Sequence, residues 1–519
     1  MKHWLPRGHT KRRLPVAVRR WNHTGVMRDP VSRILHKPPM QGLLALAALV
    51  VLLPGCAIYH PQPIAPAALM QSFEARSLDN PELLRYVAAH DVAQYGHANV
   101  SGDPAGAWDL DTLTLAAFYF SPELDVARAQ ASVSEAAIQA ARQRPNPLLQ
   151  LPLGYTTNPG DGESPYTFGL GLDIPIETAG KRGYRIVHAQ HLSNAARFHV
   201  GSVAWQLRSR LRNQLLDLYS ATRKQEILQR QVAAQQQIAA MLDKRLSLGA
   251  ASAPEANQTQ IALAQTRIAL ADARKQIQDQ RAQIAATIGV PVIAIADAHI
   301  SFDAFERADS NLTFPDIPTD AARREAIVNR ADLLAALSDY EASQAALQLE
   351  VARQVPDLHL GPGYTFDKGA HTFGLSISGI ALPIFNRNQG AIAEAVARRK
   401  EMAARVNATQ AQAIDDTDRA LQNYRVALEQ LGRAESVLAQ QQRQWRSAEK
   451  MFQTGETDRL TLELAHSTLA ADMLVRQDAL VQLQRNIGQL EDALQRPLSA
   501  TGLQPLPGLI QRDPMENTH

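Results

Sequence analysis

The single cysteine of this 519-residue chain, Cys56, closes an uninterrupted apolar run, Leu43 to Leu53, through Pro54-Gly55. A thiol is the most nucleophilic ordinary side chain at neutral pH. Leu53 at −3 and Gly55 at −1 put it where a lipoprotein signal peptidase cuts, so the chemistry expected of Cys56 is thioether formation with a diacylglyceryl group. Eleven apolar residues are too few to span a bilayer as a helix but suit the h-region of a secretory leader. Residues 1–55 carry ten Lys/Arg against one acid, a net of +9, as the n-region of a leader requires. That n-region is long, and Met27 offers a second start. Pro54 departs from the small residue usual at −2, and Ala57 is not the Asp that retains lipoproteins at the inner membrane. A buried free thiol after an apolar helix is the structural alternative.

No other constellation in the chain points to catalysis. There are no paired His ligands at metal spacing, no Gly-rich phosphate loop and no Gly-x-Ser-x-Gly. No catalytic residue, metal or cofactor is therefore expected. His359 lies in an alternating segment without a second ligand beside it, and reads as a polar filler rather than a metal ligand. Outside the leader, residues 56–519 carry 43 basic and 50 acidic groups, a net of −7, which offers nothing to nucleic acid. One cysteine excludes a disulfide framework. Aromatic residues make up only 5% of the chain, and Ala and Gln abound, a composition suited to long helices.

The elements that carry these residues come in two copies. Gly154-Tyr155 recurs as Gly363-Tyr364, Thr167-Phe168-Gly169-Leu170 as Thr372-Phe373-Gly374-Leu375, and Pro175-Ile176 as Pro383-Ile384. Gly249 recurs as Gly455 and Pro291 as Pro497, with offsets between 205 and 209 throughout. Five matches in one order imply a duplication. In each half, two runs alternate with period two, the strand signature. Leu149, Leu151, Leu153 and Tyr155 alternate with small or polar residues, as do Tyr166, Phe168, Leu170, Leu172 and Ile174. The second half repeats the pattern with Leu358, Leu360, Tyr364 and Phe366, then with Phe373, Leu375 and Ile377. Runs of about nine to eleven residues cross a bilayer as tilted strands. The second face holds mainly Gly, Ser, Thr and Asp, which suits a lumen. A soluble hairpin with one wet face is the alternative reading.

Four strands cannot close a barrel, and lipid does not tolerate an open edge, so several protomers must combine. Three copies would supply twelve strands, enough to leave a channel. The rest of the chain reads as helix. Tyr184 to Leu248 and Ala391 to Thr454 each hold no proline and one glycine, and each run would reach ~95 Å. They stop at Gly249 and Gly455 and restart over Pro254–Ile288 and Arg459–Leu494, so each half ends in a helical hairpin. Shorter helices are expected over Pro122–Arg142 and Ala321–Gln354, ahead of each strand pair.

This order of lipobox, short helix, strand hairpin, very long helix and glycine-tipped hairpin, given twice, resembles the TolC-type outer-membrane efflux factors from about residue 111 to 500. Arg144-Pro145-Asn146-Pro147 enters the first strand of the pattern. The turns Glu177-Thr178-Ala179-Gly180-Lys181-Arg182 and Leu382 to Gly390 resemble those of the heavy-metal branch, the Czc and Cus type lipoproteins. The resemblance implies a mainly α protein with a small membrane β-barrel, assembled as a homotrimer with twelve strands and continued by a long periplasmic α-helical barrel. It implies an outer-membrane lipid environment, a periplasmic adaptor (membrane fusion protein) and an inner-membrane RND pump as partners. It further implies adaptor contact at the tips, through Arg245, Leu246, Gly249, Phe452 and Gly455. Glu456, Asp458 and Glu463, repeated in a trimer, become candidates for carboxylate rings at the periplasmic aperture. Acids at a helix N-terminus also have a purely structural use there. Thr461 and Leu464 stand where the best-known family pattern has aperture-lining aspartates.

The expected organisation is a leader over 1–55, a lipidated extended segment over 56–110, a first repeat over 111–299, a linker over 300–320, a second repeat over 321–500 and a tail over 501–519. The expected function is a passive outer-membrane conduit for heavy-metal cations, not an enzyme. The same channel serving drugs or other organic compounds is the alternative. A lipid-tethered periplasmic coiled-coil scaffold or adaptor is the alternative from another class.

Overall fold

The computed structural model describes residues 59–95, 107–306 and 318–498. The leader, Cys56 and the tail 501–519 lie outside the described residues, so the anchor remains an expectation from sequence. The chain divides into two units at Pro66, and the unit from Pro66 onward holds both repeats.

Two helices open this unit, α1 (Pro66–Glu74) and α2 (Pro81–Tyr95). The sequence suggested an extended segment here. Instead Asn80 caps α2 through the Glu82 N–H, and Leu78, Leu83 and Val87 are buried in the main core. The Arg76 guanidinium pins the join by donating to the carbonyls of Phe120 (3.1 Å) and Gly289 (2.7 Å).

The first repeat runs α3 (Leu110–Phe120), α4 (Pro122–Arg142), β1 (Leu148–Gln150), β2 (Leu153–Tyr155), β3 (Tyr166–Ile176), α5 (Lys181–Ser247) and α6 (Ala253–Ile288). Short helices α7 (Ile293–Ala296) and α8 (Asp303–Glu306) follow. The second repeat runs α9 (Thr319–Asn329), α10 (Ala331–Ala352), β4 (Leu358–Asp367), β5 (Ala370–Ser378), α11 (Gln389–Gln453) and α12 (Arg459–Leu494). The helix expected over 321–354 is therefore two. It breaks at Arg330, whose φ of −68° and ψ of 117° match Ser121 (−66°, 119°), the residue that separates α3 from α4. Ser121-Pro122 announces its break; Arg330-Ala331 does not. The buried Arg330 is held there by Asp332 (2.7 Å) and Asp416 (3.5 Å).

The core lies where α3 and α4 meet the middle of α5 and the end of α12. Leu113, Phe118 and Leu124 pack with Leu207, Leu211 and Leu215, and with Ile284, Leu480 and Leu483. Beside it runs a buried ionic tie. Glu491 receives Arg208 (3.2 Å) and Arg212 (3.3 Å), and Asp492 accepts from Trp205 Nε1 (3.0 Å) and Ser209 Oγ (2.6 Å). Burial pushes the Asp492 carboxyl above its ordinary range and the Arg212 guanidinium below. Gly488 leaves room for this tie: a Cβ there would lie 2.4 Å from Arg212 Nη1 and displace the guanidinium.

All strands belong to one antiparallel sheet in the order β1/β2–β3–β4–β5. The strand expected over 149–155 is split, because Pro152 interrupts the ladder; β1 and β2 nonetheless keep a common register on β3, Leu149 opposite Leu172 and Leu153 opposite Phe168. Gly169 passes so close that a Cβ would sit 2.8 Å from the Pro152 ring and 2.9 Å from the Tyr364 carbonyl. The two hairpins join through β3 and β4, with Phe168 opposite Phe366 and Leu170 opposite Tyr364. That ladder lapses between Gly171 and Ile174, opposite Pro362, which brings no amide hydrogen.

Candidate functional site: sheet faces and helical tips

Register decides what each face of the sheet presents. Leu153, Phe168, Phe366 and His371 align across all four positions, and Leu170, Tyr364 and Phe373 form the next row. One face is thus apolar and largely aromatic at one end, where Phe168 stacks on Phe366 with ring centroids 4.8 Å apart. Its side chains are bare: Leu153 and Phe373 are each 82% exposed. The opposite face carries Gly154 and Thr167 in one row, Gly169, Thr365 and Thr372 in the next, and Gly171, Gly363 and Gly374 in the one after. Among the described residues neither outer strand, β1/β2 or β5, has a second partner. Apolar side chains exposed beside open backbone edges require a partner.

On the small-residue face, His359 Nδ1 lies 2.8 Å from Asp173 Oδ1, bridging β4 to β3. At the base of the sheet a cavity of about 470 Å³ is lined by Gln143, Arg144, Pro145, Pro175, Glu177, Arg185, Asp357 and His359. The turn after β3 closes it. Ala179 (φ 54°) and Gly180 (φ 72°) both take left-handed backbone. This orients Lys181 to donate to the Val355 carbonyl (2.6 Å) and Asp357 (2.7 Å), while Arg185 grips Glu177 (2.6 Å). The Lys181 ammonium and the Thr178 donors hold the Asp357 carboxyl below its usual range despite partial burial. After β5, Asn388 (φ 60°) donates to the Glu350 backbone (2.8 Å) and side chain (2.9 Å). The two turns that resemble the heavy-metal branch thus act as fasteners between strands and helices.

The long helices carry the chain away from the sheet to two tips of one design. At 67 residues, α5 spans ~100 Å. At its end the Ala250 N–H reaches the Arg245 carbonyl (2.7 Å) and the Gly249 N–H the Leu246 carbonyl (3.0 Å), with Gly249 at φ 72°. At the end of α11 the Glu456 N–H reaches Met451 (2.8 Å) and the Gly455 N–H reaches Phe452 (3.1 Å), with Gly455 at φ 79°. Both are Schellman stops, which need the left-handed residue. Their return helices are capped at equivalent places, α6 by Ser252 and α12 by Asp458.

Of the tip residues singled out in the sequence, the structure brings Arg245 and Asp458 together at 2.6 Å, tying one tip to the other. The Thr461 N–H and hydroxyl, with the Arg245 guanidinium, hold the Asp458 carboxyl at about 2. Glu456 is exposed and accepts from Thr454 Oγ1 (3.0 Å). Glu463 is placed apart from these: it is 14% exposed, with Arg459 and His466 each 3.7 Å away. Leu246 is half-buried, whereas Phe452 is 38% exposed. Beneath the tips, Ile238 and Leu242 pack on Leu460. The Arg245–Asp458 pairing escaped the sequence reading because it joins residues 213 positions apart. Among the described residues no group of three or more His, Cys, Asp or Glu could hold a metal ion, and no helix is long and apolar enough to cross a membrane.

Comparison with known proteins agrees with this geometry. The chain is 24% identical over 461 residues to the pyoverdine export outer membrane protein OpmQ of Pseudomonas aeruginosa, covering 83% of this chain and 94% of that protein. It is 24% identical over 296 residues to the cobalt-zinc-cadmium resistance protein CzcC of Cupriavidus metallidurans, covering 57% of this chain and 67% of that one. Its fold matches the outer membrane protein VceC of Vibrio cholerae with a TM-score of 0.59 at 20% identity, over 75% of this chain and 97% of that one. It matches CusC with a TM-score of 0.58 at 18% identity, over 74% and 91%. The fold is therefore that of the TolC-type channels, mainly helical with a small antiparallel sheet, and such channels are not enzymes. The model of the outer membrane efflux protein family matches residues 118–290 and 322–498, more than half of the chain, and the chain belongs to that family.

Proposed function

We propose that three copies of this chain close their sheets into a twelve-stranded barrel in the outer membrane of a Gram-negative bacterium. The long helices extend into the periplasm as a tunnel, and the assembly is the exit duct of a tripartite export system. One observation carries the reading: a single sheet with one continuous apolar face, one face of small residues and two unpaired edges. Pairing β5 of one protomer with β1/β2 of the next satisfies both edges and turns the apolar face to lipid. Cys56 adds a lipid anchor on the periplasmic side. The tips, through Arg245, Leu246, Gly249, Phe452 and Gly455, meet a periplasmic adaptor, which joins the duct to an inner-membrane RND pump that supplies energy and selects cargo. Glu456 and Asp458 line the approach to the aperture; Glu463, flanked by Arg459 and His466, braces α12 behind it.

The proposed cargo is heavy-metal cations, a reading supported by the similarity to CzcC. The longer match, to OpmQ, favours an organic compound instead. Growth of a deletion strain, with and without the gene restored, across zinc, cobalt, cadmium, nickel, copper and silver salts and a panel of hydrophobic compounds separates the two. Metal sensitivity rescued by the gene supports the cation reading, and sensitivity to organic compounds alone overturns it. Detergent-extracted protein running as a heat-modifiable trimer supports the duct itself; a monomer soluble without detergent once Cys56 is replaced excludes it.

A further inference from the structure

The small-residue face of the sheet is nearly bare of charge. Among the paired residues on it, only Asp173, His359 and Asp367 can ionise. Asp367 sits at the β4–β5 turn and accepts from Thr167 Oγ1 (2.6 Å). Asp173 and His359 stand at the other end, next to the helices, on the two central strands. Closure at the sheet edges therefore leaves them on the inner wall, away from every seam. The row beyond them is Gln150, Gly171, Gly363 and Gly374, so on the two central strands only glycine stands beside the pair, and His359 and Asp173 keep 34% and 17% of their side-chain surface exposed. The imidazole is fixed in place: Nδ1 meets Asp173 at 2.8 Å and the ring lies over Gly379, where a Cβ would come within 2.5 Å of Cδ2.

We propose that the Asp173–His359 pair is an ion-selective step in the barrel wall, a ring of carboxylates that favours small cations over anions while the imidazoles are neutral and loses that preference once they are charged. The proposal rests on the reading of the chain as a trimeric channel. The other charges lining the cavity beside the pair have fixed counter-ions or fixed charge. Glu177 is paired with Arg185 (2.6 Å) and Asp357 with Lys181 (2.7 Å), and the exposed Arg144 keeps its charge across the neutral and mildly acid range. Among the described residues the Asp173 carboxylate meets only the imidazole, the one side-chain type that ordinarily gains charge in that range. A wide pore of glycine, serine and threonine offers little else to discriminate ions, so a ring of three charges sets the local potential.

The test is reversal potential in a potassium chloride gradient, with the full-length oligomer in planar bilayers at about pH 8 and about pH 5. The wild type should favour potassium at the higher pH, with the permeability ratio falling about twofold or more on acidification. Asp173→Asn should lower the ratio at the higher pH and flatten its pH dependence, whereas His359→Gln should keep cation preference at both. Each variant is first shown to form the heat-modifiable oligomer; if Asp173→Asn does not, His359→Gln alone decides. Conducting channels whose ratio and pH dependence match the wild type in the assembled variants overturn the proposal. Assembled oligomers that pass no current at either pH overturn the channel reading itself, a separate failure.

Discussion

Asp458 does two things with one carboxylate: it caps α12 through the Thr461 N–H (2.9 Å) and pairs with Arg245 (2.6 Å). The substitutions separate them. Asp458→Asn keeps the cap and loses the ion pair, and such an exposed pair is worth about 0.2–1 kcal/mol; Asp458→Ala loses both, adding roughly 0.5–2 kcal/mol. Amide exchange at Thr461, read by mass spectrometry, should rise slightly in the first and clearly in the second. The pH dependence has a definite sign. The folded carboxyl titrates at about 2, below its ordinary 3.8, so its stabilisation is fully present above the ordinary value and fades as pH falls towards 2. Tip exchange should therefore be insensitive to pH near neutrality, once intrinsic rates are divided out, and increase only in strong acid. Gly249→Val and Gly455→Val each force a β-branched residue into left-handed backbone at about 1–2 kcal/mol and should fray their tips equally. The glycines and the acids at the tips were legible in the sequence because caps are local. Their pairing with Arg245 was not, since no local rule connects α5 to α12.

The elements with strong periodicity were the legible ones. Both long helices end within a few residues of the positions their proline-free runs imply, and three of the four strands run unbroken along their alternating segments. What failed were elements lacking a one-sided pattern. Helix α3 is buried on nearly every side, Leu110, Leu113, Leu115, Phe118 and Phe120 included, so no polar face marks it as a helix. The break at Arg330 depends on Asp332 and Asp416, one a neighbour and the other on α11, and only folding brings the second near. Two predictions belong at this scale. Gly169→Val drives a side chain into the Pro152 ring and the Tyr364 carbonyl, and should abolish the heat-modifiable oligomer on gels while leaving the helical circular dichroism largely intact. Glu491→Gln strands two buried guanidinium groups, Arg208 and Arg212, between α5 and α12. Breaking such a network from one side costs about 3–5 kcal/mol, so the apparent Tm should drop well below that of a surface variant such as Glu394→Gln.

For the whole molecule, the repeat does more than double the length. Each half supplies a hairpin, a rod and a tip, but the halves meet through β3 and β4, so each exposed edge of the sheet comes from a different half. The repeat was visible in five spaced matches; the joining of its hairpins was not, because strand order is decided by register between residues some 200 positions apart. If the proposed barrel rather than a lipid on Cys56 commits the chain to the bilayer, replacing Cys56 with Ser should leave the oligomer in the outer-membrane fraction; release into the soluble fraction would show the reverse. The unlike edges also bear on genetics. In the proposed trimer, a protomer with a ruined β5 still presents an intact β1/β2 edge, so it would join a ring that it cannot complete. In a ring of three drawn from an equal mixture, roughly one assembly in eight would contain only sound copies. An allele damaged at one edge should therefore behave as a poison towards a normal copy in the same cell, whereas a deletion should be silent beside it.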